Sequence, residues 1–273
     1  MNGPSLNELS SRAPEKFDSG LRARHDSRSE RGGWQRRAGS ALRSFLQAAL
    51  PQCCTLCSAR SGTAILCAPC MNALPALPPA CPVCALPSPG GRPCGACLKR
   101  QPAFAATIAA CRYAFPLDRL VQALKYERRL HVAEPLGELL AAAVARAPVA
   151  SGRAQAIVAI PLTSARQCER GFNQSGEIAR TVARRSGVPL VHGLVRTGSA
   201  PPQATLSRAQ RMKNVRGAFG CSRAFDGLHV ALVDDVMTSG ATLDAAARAL
   251  VRAGAARVDA WVVARALPTG GWG

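Results

Sequence analysis

The stretch from Val230 to Leu250, VALVDDVMTSGATLDAAARAL, constrains the fold of this chain more than any other segment. The unbroken apolar run from Val230 to Val233 predicts a strand buried on both faces, as in a parallel sheet. An Ala-rich segment with apolar residues at helical spacing follows, and Gly254 ends the predicted helix. Two carboxylates and a short loop of small, polar residues lie between the strand and the helix.

This strand–loop–helix order is typical of an anion-binding site. The first N–H groups of a helix have no partner within the helix and carry the positive end of its dipole. A phosphate group can bind there when the neighbouring side chains are small. Asp234 and Asp235, at the strand end, can accept hydrogen bonds from sugar hydroxyls, directly or through a divalent cation. The predicted phosphate loop consists of Thr238, Ser239, Gly240, Ala241 and Thr242.

The sequence Asp-Asp-x-x-Thr-Ser-Gly-x-Thr resembles the motif with which type I phosphoribosyltransferases bind 5-phosphoribosyl 1-pyrophosphate (PRPP). By this resemblance Asp234 and Asp235 hold the ribose 2′ and 3′ hydroxyls, and the phosphate loop holds the 5′-phosphate. A polar turn without a ligand is the alternative interpretation. A Walker A loop is excluded because no Gly-Lys-Ser/Thr follows, and a dinucleotide site is excluded because G-x-G-x-x-G is absent.

Eight of the twelve cysteines form four C-x-x-C pairs, arranged as an internal repeat. Two such pairs complete a tetrahedral four-cysteine zinc site, and zinc would supply folding energy to segments with little apolar surface. Sequential and interleaved pairing both remain open, and Cys53 could replace Cys54 as a ligand. A thioredoxin-like redox pair would need a βαβ context, which is absent here. The predicted zinc ligands are Cys54, Cys57, Cys67, Cys70, Cys81, Cys84, Cys94 and Cys97.

The chain is strongly basic, with a formal net charge of +19, which favours polyanionic partners such as nucleic acid or phosphorylated sugars. No apolar run is long enough to span a membrane, so no membrane insertion is expected. The first 40 residues lack the apolar core of a signal peptide, which predicts a cytoplasmic protein. Reduced thiols in that compartment favour metal binding over disulfides.

Three regions follow from these patterns: a disordered tail over residues 1–38, a short helix plus double zinc ribbon over 39–101, and an α/β domain over 102–268. Alternating strands and helices predict a parallel sheet with ligands at the carboxyl ends of its strands. We expect the ribbon and the α/β domain to have separate cores. Helices are predicted over 41–50, 117–125, 134–144, 175–185 and 243–251, strands over 110–115, 156–160, 188–191, 230–233 and 259–264, and loops over 162–174 and 197–210.

Several motifs together resemble the ComF/GntX family over residues 42–266: the zinc ribbon, Leu124-Lys125, an Ile-Pro-Leu followed by RGFNQ, a Q-x-x-L-S-R-x-x-R-x-x-N run, and the VDDV-x-TSGATL segment. Members of that family resemble amidophosphoribosyltransferase-like domains and are associated with DNA uptake in natural competence. The family usually has Pro-Val-Pro where this chain has Ala159-Ile160-Pro161, and often Thr-Thr-Gly at 238–240. Both differences keep the apolar or hydroxyl character.

The resemblance implies a phosphoribosyltransferase, a glycosyltransferase that transfers a pentosyl group, with Mg²⁺ bridging the pyrophosphate and the ribose hydroxyls. Asp234, Asp235 and Arg211 are the implied catalytic residues. Arg211 and Asn214 end a segment that closes over the site. The residues implied to face pyrophosphate are Thr163 and Arg166, followed by Arg170, Arg208 and Arg211.

Two other hypotheses remain at this stage. In one, the protein is an accessory factor for DNA uptake whose ribbons contact single-stranded DNA or a helicase, with PRPP as a regulator. Few aromatic residues lie near the basic ones in the sequence, so a stacking platform for single strands is not visible. In the other, the chain is a structural scaffold. Formation of a product only when PRPP is present would distinguish the transferase from the accessory factor and from the scaffold.

Overall fold

The computed structural model describes residues 52–62, 64–148, 153–197 and 217–268. The predicted tail over 1–38, the predicted helix over 41–50 and most of the predicted loop over 197–210 lie outside the described residues, and so do Arg208, Arg211 and Asn214. Within the described part of the chain, no helix combines the length and the hydropathy needed to cross a membrane.

The described residues alternate between strands and helices, as the sequence pattern predicts. The strands are β1 (Gln52–Cys53), β2 (Arg60–Gly62), β3 (Ala106–Arg112), β4 (Ala156–Ala159), β5 (Leu194–Arg196), β6 (Phe219–Cys221), β7 (His229–Met237) and β8 (Arg257–Arg265). The helices are α1 (Ala68–Asn72), α2 (Gly95–Lys99), α3 (Leu117–Tyr126), α4 (Ala133–Arg146), α5 (Ser164–Arg170), α6 (Gln174–Ser186) and α7 (Ala241–Arg252).

A four-stranded parallel sheet in the order β3-β8-β7-β4 forms the centre of the α/β domain. Successive residues of β7 face opposite sides: Ala231 and Val233 join one apolar core, and Val230 and Leu232 join the other. Helices α3, α4 and α6 cover the first side, and α7 covers the second. The strand is apolar without alternation because both of its faces are buried.

The zinc-ribbon region packs against this domain and shares its cores. Cys54 and Leu66 are buried in the first core, whereas Val83 and Cys84 pack against the second. The expectation of separate cores is therefore wrong. Such short segments carry too few apolar residues to bury a core of their own, so they use the surface of the sheet.

Three details differ from the predicted elements. Strand β3 begins at Ala106, four residues before the predicted start, because its pairing with β8 already starts at that residue. Helix α5 lies inside the predicted loop 162–174, where Thr163 caps it. Residues 188–191 form no strand: Leu190 makes only a single parallel bridge to Ile157.

Candidate functional site

The two predicted carboxylates lie near the carboxyl end of β7, within the strand rather than after it. Asp234 Oδ1 accepts hydrogen bonds from Ser175 Oγ at 2.8 Å and from the Asp235 amide at 2.9 Å. Asp235 Oδ1 lies 2.9 Å from Lys125 Nζ. The first turn of α6 therefore holds one carboxylate, and the last turn of α3 holds the other.

The carboxyl group of Asp234 has a strongly altered acidity. Burial, followed by the neighbouring charge of Asp235, raises its pKa to about 7. The hydrogen bond from Ser175 and the charge of Lys125 oppose this rise. Asp234 therefore keeps its proton to a higher pH than an ordinary carboxyl group, and the charges around it decide how readily it ionises.

The phosphate loop, residues 238–242, leads from β7 into the twelve-residue helix α7. Gly240 has φ +77°, and a Cβ at this position would lie 2.7 Å from Met237 Cε. Only glycine fits this left-handed and crowded position without strain. Among the described residues, the amides of Thr242 and Leu243 have no hydrogen-bond partner, as expected for the first turn of a helix. These unpaired donors are what a phosphate would engage.

The segment after β4 provides the second side of the site. Thr163 caps α5 by accepting a hydrogen bond from the Arg166 amide at 3.3 Å. Arg166 is exposed. Arg170 is half-buried, and its guanidinium lies 5.5 Å from the centre of the Tyr126 ring. Asn173 of the RGFNQ motif donates to the Ile160 carbonyl at 2.9 Å, and so fixes the start of α6 against the end of β4.

Arg196, which the sequence analysis did not single out, belongs to the same region. Its guanidinium lies 5.2 Å from the centre of the Phe219 ring. Burial, followed by the charge of Arg166, lowers the pKa of Arg196, while the charge of Asp234 opposes this effect. The charges of Arg166 and Asp234 therefore both act on Arg196.

The structure thus adds Lys125, Ser175 and Arg196 to the predicted site residues. Lys125 belongs to the Leu124-Lys125 motif, and Ser175 directly follows the RGFNQ motif. These positions are the only signals that the sequence offers for the two residues. Arg196 follows an apolar pair in a short strand, and nothing in its local sequence marks it. The predicted catalytic residue Arg211 lies outside the described residues, so its role stays a prediction.

The eight predicted cysteine ligands form two sets of four in sequential order. Within each set, the sulfur atoms all lie within 4.8 Å of one another, and the sets are Cys54, Cys57, Cys67 and Cys70, and Cys81, Cys84, Cys94 and Cys97. Four sulfurs about 2.3 Å from a central zinc ion would be about 3.8 Å apart. The Cys57–Cys67 and Cys84–Cys94 distances of 3.6 and 3.7 Å fit this geometry.

One thiol in each set is made more acidic by the surrounding backbone. Burial alone would raise the pKa of Cys54, but the amides of Cys67, Cys57 and Leu56 outweigh it and lower the pKa to about 6. In the second set, burial is likewise outweighed by amide donors, and the pKa of Cys81 falls to about 7. The Cys57 thiol raises the pKa of Cys70, and burial raises that of Cys97. Zinc, which binds thiolates, would therefore displace the protons that these other ligands keep.

The fold and these two sites define a phosphoribosyltransferase-type α/β domain that carries a double zinc ribbon. Residues 45–98 match the family described as "Double zinc ribbon domain", and residues 169–269 match the one described as "Phosphoribosyl transferase domain". The chain is 36% identical over 163 residues to the DNA utilization protein YhgH of Salmonella typhi, covering 59% of this chain and 72% of that protein. It belongs to the ComF/GntX family.

Two further relatives bear names from natural competence. Competence protein F of Haemophilus influenzae is 32% identical over 160 residues, which cover 56% of this chain and 70% of that protein. Competence protein ComFC of Bacillus subtilis is 34% identical over 110 residues, covering 40% and 44%.

Similar solved structures come from phosphoribosyltransferases. One is the glutamine PRPP amidotransferase of B. subtilis, with 23% identity, a TM-score of 0.33, and coverage of 48% of this chain and 25% of that chain. Another is the purine phosphoribosyltransferase of Pyrococcus horikoshii, with 14% identity, a TM-score of 0.27, and coverage of 61% and 96%.

Proposed function

We propose that this protein binds PRPP at the carboxyl end of its parallel sheet and transfers the phosphoribosyl group to an acceptor. The observation that carries the proposal is the position of Asp234 and Asp235. They lie near the carboxyl end of a buried strand, and a loop with unpaired helix-start amides follows two residues later. Ribose hydroxyls on the carboxylates and a 5′-phosphate on the amides would satisfy both groups.

The other half of the site would bind the pyrophosphate of PRPP. Thr163 and Arg166 follow β4 at the same edge of the sheet. We include Arg196, because the charges of Arg166 and Asp234 both act on it. An anionic leaving group would relieve the repulsion between Arg166 and Arg196.

Mg²⁺ is the divalent ion that the carboxylates would help to hold. One oxygen of Asp234 and one of Asp235 are engaged by protein donors, and the second oxygen of each has no partner among the described residues. Free carboxylate oxygens are the ligands that Mg²⁺ prefers. When bound, this ion would neutralise charge on the pyrophosphate.

The residues of this chain would promote the transfer mainly by position and charge. Departure of pyrophosphate from the anomeric carbon leaves positive character on the sugar ring, so carboxylates near the ribose stabilise it. The arginines hold the departing negative charge, and the phosphate loop keeps the sugar in place. We assign Arg211, together with Asn214, to a closing segment that excludes water.

Calorimetric titration of the full chain with PRPP in the presence of Mg²⁺ tests the binding step. We expect saturable heat and a rise in the melting temperature by mass action. If PRPP produces no heat and does not raise the melting temperature, the proposal is refuted. Release of pyrophosphate in a screen of nucleobase and amine acceptors would then establish transfer, whereas binding without release would favour PRPP as a regulator.

A second candidate function is the handling of single-stranded DNA. One relative is named a DNA utilization protein, and another is named a competence protein. The structure offers one specific observation in its favour: Phe115 and Tyr126 are 73% and 71% exposed, at opposite ends of α3. Arg170 stacks on Tyr126, and other arginines lie on the adjoining segments. Exposed aromatic rings among arginines are what base stacking and phosphate binding require. This surface lies on the α/β domain, whereas the sequence-based hypothesis placed DNA on the ribbons.

A further inference from the structure

Arg265 connects the second cysteine set to the phosphate loop. The residue ends β8 and is only 3% exposed. Its Nε donates to the Cys84 carbonyl at 2.7 Å, and its Nη1 donates to the Met237 carbonyl at 2.8 Å. Nη1 also donates to the carbonyls of Thr238 and Ala266. One guanidinium therefore joins a zinc-ligand residue to the first residue of the phosphate loop.

The charge of this buried guanidinium requires a counter-charge. Among the described residues, no carboxylate lies within ion-pair distance of Arg265. A zinc ion bound by four thiolates has a net formal charge of about −2, because each ligand is deprotonated. The second cysteine set, to which Cys84 belongs, would supply this negative charge when it holds zinc.

Other contacts join the second ribbon unit and its linker to the same region. Thr107 Oγ1 of β3 donates to the Val83 carbonyl at 2.6 Å. Phe104 lies behind the loop, with Cζ 3.8 Å from where a Cβ on Gly240 would be. The Ala103 amide donates to Asp244 Oδ1 at 2.7 Å, in the first turn of α7. By contrast, no hydrogen bond joins the first cysteine set to the phosphate loop within the described residues.

We propose that Arg265 is a positioning residue through which the second zinc site holds the phosphate loop in its anion-binding shape. Zinc orders the Cys81–Cys84 turn, this turn holds Arg265, and Arg265 holds the last residue of β7 and the first residue of the loop. Loss of this ion loosens the loop, whereas loss of the ion of the first set does not. The inference rests on the proposed function, in which this loop binds the phosphate of PRPP.

The first test compares Arg265→Met with Arg257→Met, a matched change at the other end of β8, in the full chain. The Asp244 and Ala266 amides donate to the carbonyls of Gly240 and Met237, so they report on the loop, and we expect both to exchange hydrogen at least about tenfold faster in Arg265→Met, with exchange in α6 unchanged. The dissociation constant for PRPP should rise about tenfold. This corresponds to a loss of binding free energy similar to that of one charged hydrogen bond. Equal acceleration in α6, or the same result for Arg257→Met, would overturn the positioning role.

The second test removes one ligand from either cysteine set. Cys97→Ser and Cys57→Ser should each lose one zinc ion by metal analysis, but only Cys97→Ser should accelerate exchange at the Asp244 and Ala266 amides. Similar loop exchange in the two variants would overturn the inference. These readouts do not need PRPP. If wild type fails to bind PRPP while the exchange results hold, the proposed function fails and the link between zinc and the loop stands.

Discussion

The ammonium group of Lys125 lies 2.9 Å from a carboxylate oxygen of Asp235, which joins the end of α3 to the end of β7. Both side chains are largely buried, so solvent screens this pair less than a surface pair. The ion pair compensates one of two adjacent carboxylates and leaves Asp234 as the group whose ionisation changes near neutral pH. The acidity of the site therefore depends on a residue outside the acidic motif.

The first prediction concerns pH. If PRPP binding requires ionised Asp234, affinity should fall about tenfold per pH unit below the pKa of about 7. Lys125→Met should raise this pKa further, because the charge of Lys125 lowers it, and should move the midpoint of binding to higher pH. Calorimetry between pH 6 and 8.5 measures both effects, with Lys99→Met as the control. Asp234→Asn should remove this dependence and leave only that of PRPP itself.

The same raised pKa has a consequence for stability. Between the unfolded value of about 4 and the folded value of about 7, the native chain holds a proton that the unfolded chain has released. This carboxyl therefore lowers the free energy of unfolding as pH rises through that window. In urea titrations at several pH values, Asp234→Asn should reduce the fall of the free energy of unfolding with rising pH. The same fall as in wild type would contradict the raised pKa.

The second prediction concerns the acidic pair itself. Asp234→Asn combined with Asp235→Asn should cost about 2–5 kcal/mol in PRPP binding, or roughly 30-fold to several thousand-fold in affinity. The fold should persist, because an asparagine at 234 can still accept the hydrogen bond from Ser175. Asp118→Asn with Asp226→Asn changes the net charge equally and should bind normally. If thermal shifts with Mg²⁺ and PRPP match wild type, the carboxylates do not hold the ribose.

The third prediction concerns Arg196. If Arg196 faces the pyrophosphate as proposed, Arg196→Met should weaken PRPP binding about tenfold by removing one positive charge. Arg223 stacks on Phe225 with a similar geometry, 5.7 Å from the ring centre, so Arg223→Met is the matched control. The effect should be smaller for ribose 5-phosphate, which lacks the pyrophosphate. Equal losses for both ligands would place Arg196 outside the pyrophosphate region.

The fourth prediction concerns zinc. The purified full chain should contain two zinc ions, one for each four-cysteine set. Because Cys54 and Leu66 are buried in the core of the α/β domain, Cys57→Ser should lower the melting temperature of the whole chain in a single transition. Metal analysis and calorimetric scanning measure these outcomes. Two separate unfolding transitions would show instead that the ribbon and the α/β domain unfold independently.

The fifth prediction concerns DNA. Affinity for single strands should be independent of sequence and should fall about sevenfold when salt is doubled, for about four phosphate contacts. Phe115→Ala and Tyr126→Ala should each cost about 1–3 kcal/mol if the rings stack on bases. Leu98 is also exposed, on the ribbon, so Leu98→Ala is the control. If Leu98→Ala lowers the DNA affinity and the two aromatic variants do not, the DNA-binding surface lies on the ribbons.

The residues that the sequence predicted well are those whose chemistry is local. The phosphate loop, the acidic pair and the cysteine sets each lie in short segments whose spacing already fixes their geometry. Lys125, Arg196 and Arg265 could not be found this way, because their partners are distant in the chain and only the sheet order brings them together. The shared core was missed for the same reason.

The position of the ribbon along β3 has a further consequence. In the described sheet β3 is an edge strand, and its Thr107 and Arg112 amides donate to the carbonyls of Pro82 and Pro75 in the ribbon. An uncovered strand edge is a template on which another chain can add a strand. Loss of zinc would unfold the ribbon and expose the edge of β3 to other chains. We therefore expect zinc-depleted molecules to aggregate through this strand edge.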